Sequence, residues 1–434
     1  MIGAQMLRFS GAVEDLSDAD RDALFARGAN EAPAMAQRTS SIVDDVRARG
    51  DAALRELALA LDGVSLASLE VPRETIRKAL DSTPPEVRRS LDRSARNIAT
   101  VHRAFMPASV EVESEPGIVI GRRPDPLQRV GVYAPGGRAA YPSSVLMGAI
   151  PARVAGVAEV ILCSPPGPDG VPPRAVLAAA ALAEVDRVFA IGGAGAIAAM
   201  AYGTESVPRV DRIVGPGNAY VAAAKLLVVR EVAIDSPAGP SELIVIADDS
   251  ADPSVVATEM VAQAEHDPLA CVIAVAVGEG IAARIEQALV GLVERADRGE
   301  IVRDALAGQG GVLRVSTIDD AMALSNRYAP EHLLLCVSDA DVALRSVRNA
   351  GTVFLGERAS VAFGDYMTGA NHVLPTGGLA RSYSGLSPLD FVRWTTYQRV
   401  SEAAAKSLAN DVGIFADAES LPGHAAAARQ WSAR

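Results

Sequence analysis

From about residue 10 to residue 108 apolar residues recur at three- and four-residue spacing with charges between them. DLSDADRDALFARG, SIVDDVRARGDAALRELALAL and PRETIRKALDSTPPEVRRSLDRSARNIATVHRAF all read as helices, a helical lead-in and packing layer. From residue 129 the pattern changes. Short β-branched runs, RVGVYA, EVILCS, RVFAIG, DRIVG, ELIVIA, CVIAVAV, GVLRVS, HLLLCV and GTVFLG, alternate with Ala-rich helical stretches such as PSSVLMGAIPARVAG and PSVVATEMVAQAEH. That alternation predicts successive βαβ units and an α/β fold with parallel sheets. The number of runs predicts two α/β halves, with a seam at the Gly/Pro-rich SPAGPSE of 236–242. After residue 375 the pattern reads as helical to the end, and no internal repeat or low-complexity tract is visible.

Length and charge narrow what such a fold does. A chain of 434 residues is long enough for about two to four domains with real hydrophobic cores. The formal net charge of −12 argues against a nucleic-acid surface, because phosphate binding needs a basic face. Cys163, Cys271 and Cys336 are too few and too scattered for a disulfide framework, and each lies in or beside an apolar run; they read as buried thiols of a reducing compartment. The first residues turn acidic before any apolar stretch of signal-peptide length, and no run approaches a membrane span. A cytoplasmic protein of small-molecule chemistry, without nucleic-acid or membrane partners, is expected.

The candidate chemistry gathers on histidines, of which there are five. His102, within ATVHRAF, reads as a packed helix residue. His266 ends a helix opened by Asp252 as N-cap and Pro253 in the first turn, with Gln263 three positions earlier on the same face, so both side chains can reach one ion. A histidine near a helix C-terminus is also simply stabilised by the dipole. In APEHL, Glu331 and His332 stand where a helix meets the strand HLLLCV. Consecutive residues there point to opposite sides, so they need not touch and can flank a substrate; a solvated Glu-His pair is the plain alternative. Asp365 and His372 sit in VAFGDYMTGANHVLPT, a loop after a strand, and the carboxyl ends of parallel strands are where open α/β folds bind ligands. Three Gly/Pro-rich loops, 133–144, 191–200 and 214–225, each follow a strand and open a helix, an arrangement able to cradle a pyrophosphate, although tight βα turns alone explain them equally. Gly193 to Ala198 matches G-x-G-x-x-A, but Asp211, the acid about 20 positions on, starts the next strand rather than ending one.

Together VGVYAPGGRAAYPSSVLM, GTESVPRVDRIVGPGNAYV, DSPAGPSE, QAEHDP, PEHL, GDYMTGANHVLPT and ESLPGH resemble the histidinol dehydrogenase family over about residues 30 to 430. The resemblance implies oxidation of L-histidinol to L-histidine through histidinal, by two successive NAD-dependent hydride transfers, the last steps of histidine biosynthesis. It implies one zinc ion per subunit on Gln263, His266, Asp365 and His424, holding the substrate through its imidazole and amino nitrogens. His332 resembles the general base, an imidazole able to exchange protons at neutral pH, and Glu331 the group that activates water against the bound aldehyde. The substrate would meet Ser241, Gln263, His266, His332, Asp365, His372, Glu419 and His424, with Glu419 pairing its ammonium. Tyr133 and Asn218 match nucleotide-contacting positions, and a third such position, often Gln in the family, is Gly195 here.

The implied architecture is two incomplete Rossmann-like halves with added helical segments, in an intertwined homodimer. Residues 26–132 with 244–386 would form the domain carrying the catalytic and metal groups, and 133–243 the second. Residues 1–25 with 387–411 would form a small helical swapped segment, and the tail 412–434 would complete the partner's site. Two rivals accompany this expectation. A relative oxidising another small alcohol, such as a sulfonated diol, fits less well because Glu419 would repel a sulfonate. A zinc hydrolase would use Glu331 on water and leave the glycine loops structural.

Overall fold

The computed structural model describes residues 6–27, 33–136, 140–237 and 239–432. Two parallel sheets dominate it. One has six strands in the order Phe9–Ala12, Gly310–Val315, Cys271–Val277, Glu242–Ala247, His332–Cys336, Thr352–Leu355. The other has five, in the order Arg187–Ala190, Glu159–Ser164, Arg129–Tyr133, Arg212–Val214, Ala233–Ile234. All nine runs read as strands from the sequence are strands. The α/β class is as expected.

The apolar runs lack an alternating polar face because both faces of the sheets are covered. In the Glu242–Ala247 strand, Leu243, Val245 and Ala247 join a core with Val256, Met260, Ile285 and Leu289 of the helices on one side. Ile244 and Ile246 join Leu24, Met322 and Tyr328 on the other. Each fully buried side chain of this size stabilises the fold by roughly 1.5–3 kcal/mol relative to exposure. Cys163 lies within the five-stranded sheet, and Cys271 and Cys336 in the six-stranded one; all three are buried free thiols.

Two expectations are corrected. The helices Pro33–Arg49, Asp51–Leu57, Arg73–Asp81 and Pro85–Ala104 share one core with the five-stranded sheet, Val43, Leu54, Leu91 and Ile98 packing with Val130, Leu162 and Ile197. The sequence grouping had put 26–132 with 244–386. Helical periodicity marks an apolar stripe but not which sheet it covers. Residues 1–25 and 387–411 do not form one helical unit. Among the described residues, Phe9–Ala12 is a strand whose backbone pairs with Gly310–Val315, and Val392–Val400 is a strand antiparallel to Ile118–Pro126, which pairs in turn with Val110–Glu115. The Val110–Glu115 strand, VEVESE, is exposed along its whole length, so no apolar face announces it. Cross-strand contacts such as the Tyr397 hydroxyl donating to Glu111 at 2.5 Å hold this ribbon instead.

The last two helices, Glu402–Ala418 and Pro422–Arg429, pack on each other and leave Val412, Ile414, Phe415 and Leu421 exposed.

Candidate active site

The Ile318–Tyr328 helix begins on a capping box of Thr317 and Asp320, and ends at Ala329, a buried residue held in the left-handed region at φ 54°. That turn reverses the chain into Pro330, Glu331 and the strand opening at His332. An L-residue is strained there, and such strain gathers at functional sites. Opposite, Gly351 has no room for a side chain, because a Cβ would lie 2.6 Å from the Glu331 carbonyl oxygen.

In the register His332 lies beside Leu243, so both functional groups meet the residue before it. The Glu242 N–H donates to Glu331 Oε2 at 2.8 Å, and His332 Nδ1 lies 3.0 Å from the Glu242 carbonyl oxygen. A carbonyl only accepts, so Nδ1 carries the proton and Nε2 keeps its lone pair. His332 Nε2 is buried without a hydrogen-bond partner, 3.7 Å from Asp365 Oδ1. The side chains do not diverge as strand neighbours would: Glu331 Oε2 is 3.5 Å from His332 Nδ1, because Glu331 precedes the strand and turns toward the same backbone group.

Asp365 is buried in the last turn of the short Val361–Tyr366 helix, and its carbonyl accepts from His372 Nδ1 at 2.9 Å, so His372 also presents an unprotonated Nε2. Burial, and then the charge of Glu259, push Asp365 up to about 7. Burial carries Glu331 well above the carboxylate range, aided by Glu242 and Asp365 and opposed by the Glu242 N–H. Burial also lowers His332 and His372 to about 4 each, against the carbonyl each one donates to, with the nearby His266 opposing their protonation further. The mouth thus gathers carboxyl groups and neutral imidazole nitrogens, a donor set that a divalent cation would satisfy.

The Pro253–Ala264 helix, capped as expected by Asp252, brings Gln263 to its last turn, buried with its Nε2 unpartnered. An orphaned buried amide costs roughly 1–3 kcal/mol, so the position suits a polar occupant. His266, just beyond, is exposed. Gln263 through its amide oxygen, His266 and Asp365 offer atom types that a divalent cation takes. Glu419 and His424 do not join them: both are exposed on the terminal helices. Among the described residues no three His, Cys, Asp or Glu side chains alone converge closely enough to hold an ion. Ser241 precedes Glu242, half-buried, its carbonyl accepting from the Cys271 N–H at 2.9 Å.

The glycine loops lie at the other sheet. Gly137, Arg138 and Ala139 of the first loop fall outside the described residues. Tyr133 ends its strand buried, its hydroxyl oxygen accepting the Gly193 N–H at 3.0 Å, and burial pushes its phenol up to about 12. Gly215, at φ 117°, passes so close that a Cβ would stand 2.1 Å from the Tyr133 carbonyl oxygen. Asn218 caps the Ala219–Val228 helix, its Oδ1 accepting the Val221 N–H at 3.2 Å. A Cβ at Gly195 would meet Leu57 at 2.9 Å and Leu54 at 3.3 Å, so the position faces the N-terminal helices and leaves only its backbone for a nucleotide.

Sequence reasoning assigned no role to four residues that form two ion pairs, one at these loops and one behind Glu331 and His332. Lys225 Nζ donates to the Gly215 carbonyl and to Asp235 Oδ1, both at 2.6 Å, while Asp235 Oδ2 accepts the Gly215 N–H at 2.8 Å. Arg27 and Glu242 form the second pair, both buried, 2.6 Å apart. A lysine on an apolar helix face was the one available signal for the first pair. Arg27 and Glu242 are 215 positions apart and carried none.

The family model described as histidinol dehydrogenase matches residues 25–431. The chain is 46% identical over 415 residues to the histidinol dehydrogenase of Methanosarcina mazei, covering 95% of each chain. To that of Halobacterium salinarum it is 46% identical over 416 residues, covering 96% of this chain and 97% of the other. The crystal structure of histidinol dehydrogenase from Elizabethkingia anophelis superimposes with a TM-score of 0.93 at 32% identity, covering 98% of each chain.

Proposed function

The chain belongs to the histidinol dehydrogenase family, and from that premise we propose that it oxidises L-histidinol to L-histidine through histidinal. One observation carries the assignment of the chemistry: Glu331 and His332 hang from the N–H and the carbonyl of a single residue, Glu242, which leaves His332 Nε2 unprotonated, buried and unpartnered. His332 takes the alcohol proton at Nε2 as the first hydride leaves, gives it to the oxyanion formed when water adds to the aldehyde, and takes the hydrate's hydroxyl proton as the second hydride leaves. Its tautomer is set before substrate arrives, and burial keeps it neutral. Glu331, raised by burial, is a stronger base than an exposed carboxylate and removes a proton from the water that adds to the aldehyde.

Gln263, His266 and Asp365, with the partner's His424, would hold zinc, which supplies positive charge to orient the substrate nitrogens and polarise the alcohol. The buried Asp365 carboxylate and the buried Gln263 side chain, which can offer its amide oxygen, support that site. Ser241, His372 and the partner's Glu419 would bind the rest of the substrate. NAD, accepting one hydride in each half-reaction, would lie at Tyr133, the Gly195 backbone and Asn218. A homodimer is supported by the terminal helices, which expose Ile414 and Phe415 beside the two residues the site lacks. Among the described residues no helix is long and apolar enough to cross a membrane, and a cytoplasmic location is proposed with the rest.

The test is the purified protein with zinc, NAD and L-histidinol. Two hydrides leave each alcohol that reaches the acid, so two NADH are expected per histidinol consumed. Absence of NADH would overturn the assignment, and one NADH per histidinol would overturn the two-step course. Sedimentation of the same sample gives the oligomeric state.

A further inference from the structure

Neither Arg27 nor Glu242 has a side chain at the reacting atoms, yet the two lie directly behind both groups that move protons. Glu242 supplies only its backbone to Glu331 and His332. Its carboxylate is fully occupied elsewhere: Oε2 receives Arg27 Nη1 at 2.6 Å and Oε1 receives the Gly377 N–H at 2.7 Å. The Arg27 guanidinium lies over the Tyr328 ring, 3.4 Å from its centroid, and its Nη2 donates to the Tyr328 carbonyl. Tyr328 is the last residue of the helix that turns through Ala329 and Pro330 into Glu331 and His332. One planar cation therefore ties the strand from which Glu331 and His332 hang to the segment that delivers them. Gly377 ties the same carboxylate to the loop that follows His372.

Stability does not account for such a pair, since a buried ion pair is commonly matched or bettered by packed apolar side chains. Geometry does. Two fixed donors on one flat group set the separation of two backbones, which a lysine's single ammonium cannot do.

We propose that Arg27 and Glu242 are a positioning pair for the oxidation, holding the 242 and 328–332 backbones in the one register that keeps His332 Nδ1 on the Glu242 carbonyl and Nε2 toward substrate. This rests on the reaction proposed above. Zinc and NAD sit on other side chains, so loosening the pair slows proton transfer without emptying either site.

The experiment compares wild type, Arg27→Ala and Glu242→Gln, all zinc-loaded, for kcat, the KM values of histidinol and NAD, and zinc content. For Arg27→Ala, kcat falls by about tenfold to a hundredfold, the cost of reacting groups displaced by about an ångström. Zinc content and the NAD KM stay within about twofold, as for loss of an interaction felt only in the transition state. Added guanidinium ion restores part of the kcat of Arg27→Ala and none of that of His332→Ala. Wild-type kcat in a folded Arg27→Ala overturns the proposal, and so does a loss of kcat that travels with loss of zinc and ignores guanidinium. If Arg27→Ala does not fold, Glu242→Gln, which keeps the shape and one of the two acceptor oxygens, decides by the same kcat, zinc and NAD readings. An inactive wild type refutes the reaction itself and this pair's role with it, an outcome separate from an active wild type with indifferent variants.

Discussion

The two parallel sheets carry their proposed sites at opposite ends. In the five-stranded sheet Tyr133 ends its strand, and the loops at 191–193 and 215–218 follow theirs, so the nucleotide loops lie at carboxyl ends, where the next helices begin. In the six-stranded sheet Glu242 and His332 are the first residues of their strands, and Gln263 lies in the last turn of a helix, so the catalytic mouth is at amino ends, where helices finish. Residues 235–241 join the last strand of one sheet to Glu242 of the other. Asn371 crosses the same gap, its Nδ2 donating to the Met147 carbonyl at 2.8 Å. Helix beginnings carry partial positive charge and helix ends partial negative charge. One mouth thus suits the pyrophosphate, and the other the zinc and ammonium, of the proposed sites before any side chain is counted.

If the amino-end mouth alone holds the proton chemistry, His332→Ala lowers kcat with histidinol by ~10²–10⁴-fold while metal analysis still finds zinc. Loss of zinc in that variant would break the separation of base from ligands. His266→Ala should weaken zinc by more than the ~10–100-fold typical of an outer-shell change, read by competition with a chelator. Full zinc occupancy in His266→Ala would remove that residue from the ligand set. At the carboxyl-end mouth, Lys225→Met strands the buried Asp235 carboxylate and should cost about 3–5 kcal/mol in denaturant unfolding. The same variant should raise the NAD KM and leave zinc content unchanged; zinc lost in parallel would make the two mouths one structural unit. The smallest effect is expected at Gly195. Gly195→Gln should lose roughly 1–3 kcal/mol through overpacking against Leu54 and Leu57, with no gain in NAD binding by calorimetry. Tighter NAD binding would place that side chain in the cofactor site after all.

Strand sequences such as ELIVIA and HLLLCV were legible because burial on both faces leaves an unbroken apolar run. So was the helix cap at Asp252; the place of Asp365 near the catalytic pair was an expectation from the family alone, since the usual carboxyl-end rule pointed the other way. Phe9–Ala12 is too short for a period to develop, and Val392–Val400 alternates without a buried face. The common tether of Glu331 and His332 was invisible because it is a matter of register: a backbone N–H and carbonyl have no sequence signature. The Arg27 contact needs chain segments that only tertiary packing brings together.

The buried cysteines turn these two sheets into separately timed clocks. Burial lifts all three thiols, Cys271 and Cys336 to about 12, so at neutral pH they exist as unreactive thiols. Alkylation must wait for the surrounding strands to open, and its rate counts those openings. Cys163 pairs in register with Tyr133, so its labelling times the nucleotide half, whereas Cys271, beside Glu242, times the catalytic half. Mass spectrometry of each labelled peptide then reads which half a bound ligand quiets: NAD alone should protect Cys163, and zinc alone Cys271.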